Sequence, residues 1–322
     1  MNESPVSRTG AAHAIGIDVG GTRTAVVHID ADGDVLAREA RPTPADDQEA
    51  TIAGMIQAAR DVMTREVKAI GIAAAGLVDR SGVMRFAPNL AWRDTDLVAR
   101  VGSSLALPVT ADNDNTAAAW GEFRLGSGRG CQHMLLVGVG TGIGGGIVAD
   151  GRLFRGAHGF AAEIGHVIVE PGGPLCGCGN HGCWEQVASG TTITREGRAA
   201  VSRHPHSLIA ELVRGDAGAV TGELVSEAAR RGDPTARGIL MEVGHRLGEG
   251  IAGLENILDP EVVVVGGGAS EAGNLLLEPA RAAFRRSVMA YDRRPDVPLR
   301  DAALGNDAGA IGAALLALNE LI

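Results

Sequence analysis

The apolar positions of the chain fall into two kinds of run. Ala14–Asp18, Thr24–Ile29, Val67–Ala74, Val109–Asp112 and Glu261–Val265 are short and almost continuously apolar, bounded by Gly, Asp or Asn. Such runs predict buried strands. Longer stretches carry apolar residues at helical spacing. Gln48–Thr64 places Ile52, Met55, Ile56, Ala59 and Met63 on one face. Asp233-Pro234 opens a long helix in which Ile239, Leu240, Val243, Leu247, Ile251, Leu254 and Ile257 read as core. Further helices are predicted over Asp94–Ala106, Asn115–Leu125, Gly190–Ala199, Ser207–Gly232, from Gly268 to Ser287, and over Ala308–Leu318 behind an Asn306-Asp307 cap. Strands alternating with helices predict an α/β protein.

One arrangement occurs twice. Ala14–Arg38 reads strand, glycine turn, strand, Asp32-Gly33 turn, strand. Met134–Phe154 repeats that order about 120 residues later, with a turn at Asp150-Gly151. The repetition points to duplication of one domain type. The first turn, Gly20-Gly21-Thr22, is either a plain hairpin or a place where backbone N–H groups approach a phosphate. The second contains Gly140-x-Gly142-x-x-Gly145, which matches the dinucleotide fingerprint. That fingerprint requires a helix to start at the glycines, whereas Gly146–Asp150 reads as strand. A Rossmann site is therefore not expected, and no G-x-x-x-x-G-K-[ST] loop is present. Gly266-Gly267-Gly268, after the last apolar strand, is either a tight packing turn or a nucleotide contact at a helix start.

The centre of the chain, Gly156–Gly190, departs from both patterns. Its spacing is His166-x9-Cys176-x-Cys178-x4-Cys183, with glycines at 177, 179 and 182 between the sulfurs. Three thiols and an imidazole suit tetrahedral zinc, and four protein ligands make a closed, structural site. An odd cysteine cluster argues against a disulfide framework, and C-x-C is not the redox spacing. Such a metal would fix Glu163, His166 and Glu185 in space. Asp112-Asn113-Asp114-Asn115 puts four polar residues at the end of a buried strand, where α/β proteins place their chemistry. Asp114 at the next helix start is either its N-cap, kept ionised by the helix dipole, or a catalytic group.

Composition narrows the field. The 322 residues suffice for two cores, and 45% hydrophobic content excludes disorder. A formal charge of −10 argues against nucleic-acid binding. No apolar run is long enough to span a bilayer, and Met1–His13 lacks an apolar signal core. A cytoplasmic protein with no membrane or nucleic-acid partner is expected.

Taken in order, Asp18-Val19-Gly20-Gly21-Thr22, Asn113-Asp114, Gly140-Thr141-Gly142 with the glycines after it, Glu163-Ile164-Gly165-His166, the cysteine run ending at Glu185, and Gly266-Gly267-Gly268 resemble the ROK family of sugar kinases. The resemblance runs over about residues 14 to 320. It implies the duplicated actin-like (ribonuclease H-like) ATPase fold, with two α/β domains and an interdomain cleft. The small domain would hold 1–114 plus 305–322, the large one 115–304. It implies an ATP-dependent hexokinase acting on the 6-hydroxyl of glucose to give glucose 6-phosphate, or a kinase for another hexose or N-acetylhexosamine (N-acetylmannosamine, N-acetylglucosamine, mannose or fructose), or a sugar-sensing regulatory protein. ATP phosphates would lie against Gly20, Gly21, Thr22, Gly140, Thr141 and Gly142, with adenosine near Gly266, Gly267 and Gly268 and Asp18 near Mg²⁺. Asp114 would be the catalytic base. Asn89, Asn113, Asp114, Glu163, His166 and Glu185 would bind the sugar. His166, Cys176, Cys178 and Cys183 would hold Zn²⁺, and the protein would be a homodimer or tetramer. Two positions depart from the common pattern: Ala75-Gly76 stands where Pro-Gly is frequent, and Asn115-Thr116 where Ala-Asn is frequent. ROK repressors carry an N-terminal winged helix, for which the 13 residues before the first strand are too few.

Overall fold

A computed structural model of the chain describes residues 12–321; of Met1–His13, residues 1–11 lie outside that range. The described residues form two compact units: 12–126 with 153–161 and 307–321, and 127–152 with 162–306.

The first unit is built on a five-stranded sheet. Its strands are β1 (His13–Val19), β2 (Arg23–Ile29), β3 (Val35–Pro42), β4 (Val67–Ala74) and, after α1 (Gln48–Val62), a small three-stranded sheet of β5 (Leu77–Val78), β6 (Val83–Phe86) and β7 (Arg93–Asp96), and α2 (Leu97–Leu105), β8 (Val109–Asn113). The order is β3-β2-β1-β4-β8, with β1, β2 and β3 antiparallel and β1, β4 and β8 parallel. The helix α3 (Asp114–Arg124) and the last helix of the chain, α10 (Ala308–Asn319), pack together against the sheet. This packing is why α3 groups with the first unit and the division falls at 126, not at 114.

Glycines set how close α10 comes. Gly16 and Gly71 are paired across β1 and β4. A Cβ on Gly16 would stand 1.8 Å from the Ala310 carbonyl oxygen, and one on Gly71 1.9 Å from that of Ala313. Two adjacent strands thus present a bare groove to the backbone of α10. That helix is apolar all round and buried from Ala308 to Ala317, as expected of a helix with no solvent face.

The second unit repeats the plan. Strands β9 (Met134–Val139), β10 (Ile143–Ala149), β11 (Arg152–Leu153), β12 (Val262–Gly266) and β13 (Leu299–Asp301) take the order β11-β10-β9-β12-β13. Here β9 and β10 are antiparallel, and β9, β12 and β13 parallel. Position for position this is the order of the first sheet, so the duplication read from the two glycine meanders is present in the topology. The helices are α4 (Glu185–Ala188), α5 (Gly190–Arg203), α6 (Leu208–Leu212), α7 (Gly222–Arg230), α8 (Pro234–Leu258) and α9 (Asn274–Ser287). Asp233 caps α8 by accepting from Ala236 N at 2.6 Å.

Several predicted bounds move, each for a local reason. The helix expected from Asp94 starts at Leu97, because Asp94 lies in the left-handed region (φ 46) and Asp96 provides the cap. Ser207–Gly232 is not one helix. Arg214 and Gly215 take positive φ, and Ser207, Asp216 and Thr221 each cap a separate short element. The helix expected after Gly268 begins as a 3-10 turn, Gly268–Ala272, and is interrupted by Gly273 at φ 61 before α9. Asp307 stands at the cap position of α10 but gives its carboxylate to Arg38 at 2.8 Å. Ile257, expected in the core, is 77% exposed.

Candidate active site and metal centre

In the first unit, Asp114 follows directly on β8, at the C-terminal end of a parallel strand. The cap of α3 is Asn113, not Asp114: its Oδ1 accepts from the N–H groups of Asn115 (2.9 Å) and Thr116 (3.0 Å). The Asn113 amide then donates from Nδ2 to Gly76 O (3.2 Å) and to Asp114 Oδ1 (2.9 Å). Both of its N–H protons and both of its oxygen lone pairs are used inside the protein. Asn115 Nδ2 donates to the same Asp114 Oδ1 at 3.1 Å. Asp114 is the first residue of α3 and still lies in the field of the helix N-terminus. Burial pushes its pKa up, opposed by the N–H of Asn115 and by the two amides. Beside this pair, Asp112 is buried and ion-paired to Arg155 at 2.6 Å.

Asp18 lies on β1, in register with Ala73 of β4. Its carboxyl is raised to about 7, first by burial and then by the negative charge of Asp114, with Arg23 opposing. The N-terminus of α10 packs on it, since a Cβ on Gly309 would stand 2.5 Å from Asp18 Oδ2. A carboxylate so short of positive partners is fitted to receive a cation. The turn between β1 and β2 closes through Gly20 N donating to Arg23 O (3.0 Å), and Gly21 lies under the backbone of Asn89, whose own side chain is exposed. The first unit therefore holds Asp18, Gly20, Gly21, Thr22, Asn89, Asn113 and Asp114.

In the second unit the glycine run of β10 has a visible cause. Glu163 leads into a single 3-10 turn, Ile164–His166, pressed on that strand: Gly165 leaves no Cβ room against Ile143 O (2.0 Å), nor Gly145 against Ile164 (2.7 Å). The glycines continue into strand, as expected of a hairpin and not of a dinucleotide fold. Glu185, the first residue of α4, points one oxygen at the β9–β10 turn; a Cβ on Gly142 would stand 2.3 Å from its Oε2. Its Oε1 accepts from Cys176 Sγ at 3.0 Å.

His166, Cys176, Cys178 and Cys183 bring one ligand atom each into a cluster no wider than 4.8 Å. Cys178 Sγ and Cys183 Sγ are 3.6 Å apart, and Cys176 Sγ lies 3.6 Å from His166 Nδ1. Ligands about 2.0–2.3 Å from a tetrahedral zinc stand at such separations, so the cluster can hold structural zinc. Burial pushes the Cys176 thiol up to about 12, and a bound cation is what would let it ionise. His181 turns away, to Gly173 O. Of the intervening glycines, Gly179 and Gly182 take positive φ and Gly182 lies against Glu170 O. Gly177 stands in open space without a positive φ.

The second unit also holds a cavity of about 630 Å³ lined by Gly140, Thr141, Thr194, Arg198, Glu223 and Gly268, among others. It has the size of a small-molecule site. The N-terminus of α5 closes one side: Gly190 N donates to Gly140 O (2.8 Å) and Thr191 Oγ1 to Thr141 O (2.6 Å). Of the predicted glycine triplet only Gly268 lines it. Gly266 ends β12, and Gly267, at φ 88, packs on the β9 backbone. Thr191, Thr194, Arg198 and Glu223 were not legible, because no motif marks residues on α5 and α7.

Comparison with known proteins places these features. The ROK family profile matches residues 14–320. The glucokinase of Streptomyces coelicolor is 40% identical over 308 residues, covering 94% of this chain and 96% of the relative. The N-acetylmannosamine kinase of Escherichia coli O157:H7 is 32% identical over 314 residues, covering 95% and 98%. The crystal structure of a ROK family glucokinase from Streptomyces griseus, in complex with glucose and AMPPNP, superposes with a TM-score of 0.88 at 39% identity, covering 96% of this chain and 100% of that one. Structures of that family have the duplicated actin-like fold seen in the two sheets here. With its paired sheets, its Asn-Asp strand end and its His-Cys cluster, this chain belongs to the ROK family.

Proposed function

We propose that the chain is an ATP-dependent glucokinase that transfers the γ-phosphoryl group of ATP to the 6-hydroxyl of glucose. The observation that carries the reading is Asp114: a carboxylate at a parallel strand end, released from helix capping by Asn113 and aimed by two amides. Glucose as the sugar is supported by the 40% identity to a glucokinase over nearly the full chain.

In this reading Asp114 accepts the proton of the sugar 6-hydroxyl as that oxygen attacks the γ-phosphorus and ADP leaves. Its raised pKa suits a group that must take up a proton. Asn89, Glu163, His166 and Glu185 bind the sugar hydroxyls, with Asn113 beside them holding Asp114. His166 is turned so that Nδ1 faces the metal cluster, and in this reading Nε2 meets the sugar. Backbone N–H groups of Gly20–Thr22 and of Gly140–Gly142 hold the phosphates, and adenosine takes the cavity at Gly268. Asp18 would hold Mg²⁺ brought in with the nucleotide, which would offset phosphate charge. His166, Cys176, Cys178 and Cys183 would hold zinc, which would fix the loop that carries the sugar ligands.

A homo-oligomer in the cytoplasm, without nucleic-acid or membrane partners, completes the proposal. No helix of the described residues is long and apolar enough to cross a membrane. A second reading, a kinase for an N-acetylhexosamine, is favoured by the 32% identity to an N-acetylmannosamine kinase over 95% of the chain. The test of the base is Asp114→Ala: turnover falls by at least about 10³-fold, while calorimetry still detects glucose binding. A variant turning over near the wild-type rate contradicts the assignment.

A further inference from the structure

We infer that Asn115 is a positioning residue for the phosphoryl-transfer step, holding Oδ1 of Asp114 so that Oδ2 is the oxygen presented to the substrate. The inference rests on Asp114 being the base. Two side-chain amides meet one carboxylate oxygen: Asn113 Nδ2 at 2.9 Å and Asn115 Nδ2 at 3.1 Å. The orientation of Asn113 is fixed, because its Oδ1 accepts two backbone N–H groups of α3 and only its NH₂ can turn to Asp114. Asn115 meets a carboxylate, which offers acceptors alone, so its donor faces Asp114 as well.

The two amides differ in duty. Asn113 is committed four times over, to the α3 cap, to Gly76 and to Asp114. Among the described residues the Asn115 side chain makes one hydrogen bond, the one to Asp114. That side chain can be removed without undoing the cap. A donor on Oδ1 stabilises the ionised carboxylate and fixes the plane of the group. Losing it leaves Oδ1 held by Asn113 alone, with a higher pKa and a looser torsion.

The charged surroundings do not supply a substitute. Asp18 on β1 acts on Asp114 with like charge, while Arg23 and Asp307 act on Asp18. Asp112, on the same segment, is neutralised by Arg155. From β4, Gly76 beyond the strand end contributes a carbonyl to Asn113.

The experiment is a pH profile of kcat on the full chain with glucose and ATP–Mg²⁺, for wild type, Asn115→Ala and Asn115→Asp. Asn115→Ala lowers kcat by about tenfold, the worth of one charge-assisted hydrogen bond. It leaves KM for glucose and ATP within about twofold, and moves the acid limb to higher pH, since activity needs the ionised base. Asn115→Asp separates positioning from helix stability. An acid in the first turn of α3 is favoured by the helix dipole, so a structural role predicts wild-type activity and unchanged Tm. Positioning predicts a kcat below that of Asn115→Ala with Tm no lower, because a second carboxylate now faces the base. Wild-type kcat and pH profile in Asn115→Ala, or full activity in Asn115→Asp, overturns the inference. Asp114→Asn distinguishes the deeper failure: if it turns over at the wild-type rate, the base assignment falls, and with it the role of Asn115; if it is inactive while the Asn115 variants are normal, only the positioning role falls.

Discussion

Glu185 Oε1 lies 3.0 Å from Cys176 Sγ. The other oxygen of the same carboxylate occupies the space a Cβ on Gly142 would need. One side chain therefore ties the His-Cys cluster to the glycine turn of β9–β10 within the second unit.

Glu185→Gln keeps the shape and removes the charge. A hydrogen bond to a charged group contributes about 1.5–3 kcal/mol. KM for glucose is therefore expected to rise about tenfold or more, with KM for ATP little changed. Steady-state kinetics with each substrate varied in turn checks this, and an effect confined to ATP would misplace Glu185.

Cys178→Ser removes one of the four candidate ligands from a loop otherwise held by isolated bridges, Ile168 to Cys183 and Leu175 to His181, and by backbone hydrogen bonds such as Cys176 N to Asn180 O (2.8 Å) and Gly182 N to Pro174 O (2.9 Å). Metal content is expected to fall from about one zinc per chain, with a lower Tm and weaker glucose binding. Elemental analysis and calorimetry on the same sample decide it. Wild-type protein free of stoichiometric zinc contradicts the metal assignment.

How much of this was legible follows the scale of each signal. The paired glycine meanders, the His-Cys spacing and the Asn113-Asp114 strand end are local patterns, and the duplicated sheets and the cluster appear where those patterns put them. The division of labour between Asn113 and Asp114 was not legible. Either residue type caps a helix, and only the backbone at Asn113 (φ −61, ψ 147) selects it. Nor was the glycine-lined bed of α10, because Gly16, Gly71 and Gly312 lie in three separate elements that meet only in the fold. The cavity walls on α5 and α7 escaped for the same reason.

Gly71→Ala tests that bed. Its Cβ would stand 1.9 Å from the Ala313 carbonyl, and both partners are backbone, so neither can rotate away. Overpacking of this kind costs about 1–3 kcal/mol or more. A clear fall in Tm is expected without loss of zinc; an unchanged Tm would mean that α10 does not seat as described.

The raised carboxyl of Asp18 gives a pH-dependent prediction. An acid whose folded pKa, about 7, lies above its ordinary value of 3.8 binds more protons folded than unfolded. Its contribution to stability is present at pH below about 4 and is lost as pH rises through 7. Asp18→Asn is therefore expected to be more stable than wild type at pH 8, by on the order of 1–3 kcal/mol, and equal to it near pH 4. Denaturant titrations at the two pH values measure the difference. A wild type more stable than Asp18→Asn at pH 8, without nucleotide, contradicts the burial of an unpaired carboxylate there.

The most direct test of the central claim is a coupled kinase assay with ATP–Mg²⁺ against glucose, mannose, fructose, allose, N-acetylglucosamine and N-acetylmannosamine. A glucokinase shows kcat/KM for glucose at least about tenfold above every other sugar, a gap of about 1.4 kcal/mol in transition-state binding. A higher value for an N-acetyl sugar, or no turnover on any of the six, contradicts it.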